Sequence, residues 1–203
     1  MNAPDQSARR EIGIPERCGM RQLEREFGNL YAHAILTSGF FATSGDKRTQ
    51  FLMLLVFRMN RARWHYAEAR ASVIAQIDEV ERWKHDTSGG QGLPILAFSS
   101  SFDDCLTDLY LVNRTIDRME TLAHPALKGF AKTYAKVLKT ITIMRTDSQH
   151  MEDRIGRQVL DGGPVQPAIT KDGDCVVLGT NEVSLKDVAD CIEGLFDALF
   201  IAQ

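Results

Sequence analysis

Apolar residues recur at steps of three and four from about residue 20 to 160, the spacing of helices that bury one face. Leu23, Phe27, Leu30 and Ala34 predict a first helix, punctuated by Gly39, Ser44 and Gly45. From Lys47 to about His85, Leu55, Met59, Ala62, Tyr66, Val73, Ile77 and Val80 form one stripe with no internal proline or glycine. That predicts a rod of roughly 57 Å at 1.5 Å per residue. Thr87 to Pro94 is rich in glycine and reads as a connector. It lacks the Gly-Lys-Ser/Thr and the preceding strand that a phosphate-binding loop uses. Phe98, Phe102, Leu106, Leu109, Ile116 and Met119 predict a third helix ending near His124-Pro125, because the residue before proline disfavours helical backbone. Leu127, Phe130, Tyr134, Val137, Ile141, Met144, Met151, Ile155 and Val159 predict a fourth, continuous to about Gln158.

The period then switches to alternation. Ile169 to Lys171 and Asp174 to Leu178, joined by Asp172-Gly173, predict a hairpin, and Ser184 caps a closing helix with Leu185, Val188, Ile192, Leu195, Phe196 and Leu199 on its apolar face. The expected fold is mainly α: an antiparallel four-helix bundle with a small C-terminal β-hairpin and a final docking helix. One domain spans 1–203, with a flexible tail over 1–19, the bundle over 20–160, and the hairpin and last helix over 165–203.

Composition narrows the chemistry. Twenty-seven acidic against 24 basic residues leave a net charge of −3, which excludes a bulk polycation, while 44% hydrophobic and 25% charged residues are ordinary for a folded domain. Met1 to Gly13 carries charges and no apolar signal segment, and the apolar run from Phe51 stops at Arg58, too short to span a bilayer. Cys18, Cys105, Cys175 and Cys191 are scattered without zinc or disulfide spacing, which fits a cytoplasmic protein. Asp103, Asp104 and Asp108 read as a solvated helix face. No Glu stands three residues before any histidine in the di-iron manner, so no metal and no cofactor is expected.

Charge distribution alters the electrostatic picture. On an ideal fourth helix Lys128, Lys132, Lys136, Lys139, His150, Arg154 and Arg157 fall within about 80° of one another, a basic face able to track a phosphate backbone. The same helix carries Arg145-Thr146-Asp147-Ser148-Gln149-His150, an Arg-x4-His motif. Arg58 to His65 and Arg118 to His124 have related spacings, but Arg145 and His150 lie late in the last long helix among polar residues. His124, before Pro125, reads as a capping or loop histidine. His65 shares a face with Arg58 and Arg61 beside Trp64 and Tyr66, a grouping that contacts RNA or packs against neighbouring helices.

At these residues the chain resembles the HEPN superfamily, α-helical bundle proteins whose ribonuclease members carry Arg-x4-6-His on a late helix. The likeness covers the third and fourth helices best. It implies metal-independent RNA cleavage, usually at a site assembled by two protomers, hence a homodimer. Arg145 would hold the scissile phosphate, His150 would act as general acid or base, and Asp147 or Asp153 would orient its ring. Lys136, Lys139, Arg154 and Arg157 would bind RNA. Many active members place Asn, Asp or His directly after the arginine, where this chain has Thr146. Arg145 and His150 stand 140° apart on a straight helix, so convergence needs a bend, the arginine's reach or a second protomer. The competing expectation is a non-catalytic helical module that binds a protein partner, such as an antitoxin, or a nucleotide.

Overall fold

The computed structural model describes residues 10–25, 46–83, 93–157 and 163–202. Its architecture is mainly helical, with a small three-stranded antiparallel sheet. Helix α1 (Lys47–Trp83) starts where Asp46 accepts the backbone N–H groups of Arg48 and Thr49, at 3.2 and 3.0 Å, satisfying donors that the first helical turn leaves open. Helix α2 (Leu93–Met119) begins earlier than expected and takes in Leu93 and Pro94. Proline is tolerated in a first turn because no intrahelical acceptor exists there for its missing N–H. The remainder of the glycine-rich connector, through residue 92, and most of the expected first helix, over 26–45, lie outside the described residues. Residues 20–25 are not helical.

Helices α1 and α2 run antiparallel, since Gln76 meets the N–H of Ile95 while Arg58 and Arg61 meet Asp108. Their facing stripes bury Leu55, Met59, Ala62, Tyr66 and Val73 against Phe98, Phe102, Leu106, Leu109 and Ile116. Burying side chains of this size contributes about 1.5–3 kcal/mol each before conformational entropy is subtracted.

The single fourth helix is corrected to three pieces: α3 (Pro125–Thr133), α4 (Ala135–Gln149) and α5 (Met151–Gly156). Tyr134 and His150 interrupt it, with φ, ψ of −99°, 16° and −106°, 15°. The continuous basic face assumed for one straight rod is therefore divided. Tyr134 packs its ring over Gly194 of α6 (Leu185–Ala202), where a methyl group would come within 2.4 Å of the ring. That contact holds α3 against α6, whereas α4 packs on α2. His124 caps α3 as expected, its Nδ1 accepting the N–H of Ala126 at 3.2 Å ahead of Pro125.

Strands β1 (Ala168–Ile169), β2 (Cys175–Leu178) and β3 (Asn181–Ser184) lie in that order. Ile169 pairs with Val176 and Cys175 with Ser184. Gly173, between β1 and β2, has φ +75°, the conformation that an Asp-Gly turn supplies. The third strand was not anticipated, because Asn-Glu-Val-Ser is too short and polar to show a period of two. Ser184 caps α6 through Asp187 N–H, at 3.3 Å.

The tail expected over 1–19 is corrected for its described part. Ile12 bridges Thr170 at the sheet edge, and Met20 is buried in the core. Arg10 pairs with Asp172 and Glu182, Arg17 with Asp174, Arg21 with Asp190 and Glu193, and Arg25 with Asp197. Four arginines thus fasten an irregular segment across the sheet and α6.

Candidate functional site

Residues 125–146, through α3 and most of α4, contain no acidic side chain. Lys128, Lys132, Lys136 and Lys139 are all exposed there, and among the described residues no ion pair engages them. Arg10, Arg17, Arg21, Arg25, Arg58, Arg61 and Arg154, by contrast, pair with carboxylates within the fold. An uncompensated row of ammonium groups raises the local potential even on a weakly acidic protein.

The Arg-x4-His motif follows at the end of α4. His150 sits at the α4–α5 junction with its side chain 63% exposed, and its Nδ1 lies 3.8 Å from Asp153 Oδ2. Arg145 turns inward toward α2. Its Nε is buried without a hydrogen-bond partner, and its charge acts on Asp103, whose carboxyl accepts Ser148 Oγ at 3.1 Å. Burial pushes the Asp103 carboxyl above its ordinary range, opposed by the Ser148 hydrogen bond and the Arg145 charge. Arg145 and His150 share no partner among the described residues, as the 140° between them on a regular helix requires. The interruption falls at His150 itself, beyond the helical turns that separate it from Arg145, and does not turn the two side chains together.

Asp147 faces neither of them. It accepts Asn181 Nδ2 at 2.8 Å and pairs with Arg154 Nη1 at 2.7 Å, tying α4 to β3 and α5. The carboxylate beside His150 is therefore Asp153, and Arg154 is held as a structural partner of Asp147 rather than as an open phosphate ligand. Arg157 is exposed at the end of α5.

A second constellation lies between α1 and α2. Asp108 belongs to the interior, correcting its placement on a solvated face: its side chain is 1% exposed and accepts Arg58 Nη1 and Arg61 Nε, each at 3.1 Å. His65 Nε2 approaches the same carboxylate at 3.9 Å, and both ring nitrogens are buried without hydrogen-bond partners. Phe57 receives both guanidinium groups near its ring, at 5.8 and 5.9 Å. Two charge-assisted hydrogen bonds compensate the desolvated carboxylate. Spacing could have found Asp108, because Cys105, Asp108, Val112 and Thr115 step by three and four along the buried stripe of α2. Of the three arginine–histidine spacings, Arg58 and His65 are the pair that meet at one carboxylate.

Among the described residues no group of three or more His, Cys, Asp or Glu could hold a metal ion, and no helix is long and apolar enough to cross a membrane. Compared with family models, curated proteins and solved structures, the chain matches none of them.

Proposed function

We propose that this protein binds RNA along α3 and α4 and cleaves it without a metal ion, in the manner of the HEPN proteins it resembles. The observation that carries the reading is the row of exposed, unpaired lysines in a stretch without acids. Such a row holds phosphates by charge and leaves sequence selection to other contacts. His150 is the general acid or base, exposed at the helix junction and oriented by Asp153. Arg145 supplies the guanidinium for the scissile phosphate. Because Arg145 and His150 of one chain stand apart, the working site in this reading is a composite in which the arginine and histidine of two protomers converge, and the active species is a homodimer. In this reading α1, α2 and the α3–α4 pair belong to an antiparallel four-helix bundle.

Incubating the purified protein with RNA in EDTA tests the reading. His150→Ala is expected to lower the cleavage rate by about 100-fold or more, the usual contribution of general acid–base catalysis. Lys136→Glu with Lys139→Glu is expected to weaken RNA binding and flatten its salt dependence by roughly two phosphate contacts. Equal cleavage by wild type and His150→Ala would discard the catalytic assignment. Unchanged salt dependence in the lysine variant would discard the binding face. The second reading, a non-catalytic module, is favoured by the separate surroundings of Arg145 and His150 within one chain. Salt-dependent RNA binding with no cleavage by a demonstrated dimer would select it.

A further inference from the structure

A pocket of about 360 Å³ opens between α1 and the N-terminal segment, lined among the described residues by Gln22, Asn60, Arg63, Trp64, Tyr66 and Arg70. It uses none of the residues in the RNA-cleaving site proposed above. Its size falls within the roughly 300–1,000 Å³ typical of small-molecule sites. We infer that it binds a nucleoside 5′-monophosphate, either free or as one nucleotide of a single-stranded RNA.

Three features select that chemistry. Trp64 is 59% exposed although it is among the costliest side chains to leave in water, and its indole is steadied by the tilted ring of His65 at 4.9 Å. A planar base stacking on it removes that apolar face from solvent, whichever base it is. Asn60, one helical turn before Trp64, offers both an amide donor and a carbonyl acceptor to a base edge. Arg70 supplies a guanidinium, Arg63 adds positive charge to the wall, and among the described residues no acidic side chain lines the pocket. Arg70 is fixed in place by donating from Nε to the Met20 carbonyl at 2.9 Å, which leaves its two terminal nitrogens directed elsewhere. A planar fork of this kind matches phosphate oxygens bidentately. An aromatic plane, an amide and the fixed guanidinium of Arg70 match a nucleotide's base and phosphate better than they match an apolar ligand.

The N-terminal segment is part of the pocket. Tyr66 donates its hydroxyl to the Arg21 carbonyl, and Arg21 is itself held by Asp190 and Glu193 of α6. The wall carrying Gln22 and Leu23 is therefore anchored at both ends of the contact.

The chain has two tryptophans, so a Trp83→Phe protein reports Trp64 alone by fluorescence. Titration with AMP is expected to quench that emission saturably, adenosine to bind more weakly for want of the phosphate, and inorganic phosphate alone to leave the emission unchanged. A tetra-adenylate binding at least tenfold tighter than AMP would identify single-stranded RNA as the source of the nucleotide. AMP binding as tightly or more tightly would identify the free mononucleotide. Trp64→Ala, read by calorimetry, is expected to weaken binding about tenfold or more while the thermal melt stays that of wild type. His150→Ala and the Lys136/Lys139 charge reversal are expected to leave AMP affinity within about twofold, so failure of the RNA-cleavage proposal is distinguishable from failure of this one. No quench by millimolar AMP or tetra-adenylate, or undiminished AMP binding by Trp64→Ala, would overturn it.

Discussion

Arg58 and Arg61 are the cations that hydrogen-bond Asp108 among the described residues, and the three side chains are unequal in exposure. Asp108 is buried, whereas Arg58 and Arg61 keep 26% and 43% of their side-chain surface in water. Removing the arginines strands a desolvated carboxylate, while removing the aspartate leaves two guanidiniums that water can reach. Arg58→Met with Arg61→Met is therefore expected to cost about 3–5 kcal/mol in urea unfolding, and Asp108→Leu about 1 kcal/mol or less. Equal losses would show that the pair contributes by packing alone. The residue types of this cluster are plain in the chain, and Arg58, Arg61 and His65 visibly share a helix face. Their convergence on Asp108 was not visible, because it depends on how α1 and α2 slide against one another. The same holds for Asp147, whose place three residues from His150 suggested a ring partner until Asn181 and Arg154 claimed it.

Among elements, the long helices were the most legible, since α1 repeats its apolar stripe over 37 residues. The break at Tyr134 was not, because Phe130, Tyr134 and Val137 continue the helical period and only α6 supplies the reason to stop. The N-terminal segment lacks any period and is held by pairs more than 150 residues away in the chain. Gly19 and Gly173 let it cross the sheet: a methyl group on Gly173 would lie 2.0 Å from the Arg17 carbonyl oxygen, and one on Gly19 would lie 2.1 Å from that of Gly173. Gly173→Ala also meets a positive φ, so it is expected to cost about 1–3 kcal/mol and to raise amide exchange over residues 10–25. Acid should loosen the same segment. Hydrogen bonding from Arg21 holds the Glu193 carboxyl below its usual range. A depressed carboxyl contributes stability above its unfolded pKa, near 4.3, and loses it as pH falls through the lower folded value. Amide protection factors of residues 10–25, corrected for the intrinsic pH dependence of exchange, are expected to be high at pH 7 and to fall below about pH 4, with Arg21→Gln abolishing most of the difference.

Across the whole molecule, the thiols mark the core. Burial pushes Cys175 and Cys191 up to about 12 and Cys105 well above its ordinary range, while Cys18 is half-buried in the N-terminal segment. A thiol reagent at pH 8 is expected to modify Cys18 alone in the native protein and all four cysteines in urea. Rapid native labelling of Cys191 would contradict the packing of α6. Helical character, the capping residues His124 and Ser184, the Asp-Gly turn and the acid-free lysine stretch were determined by the sequence itself, because each depends on residues within a few positions of one another. Tertiary structure alone decided the pairing of Asp108 with Arg58 and Arg61, the division of the fourth helix and the docking of residues 10–25. Each of these rests on contacts between segments far apart in the chain, whose relative placement local spacing does not encode.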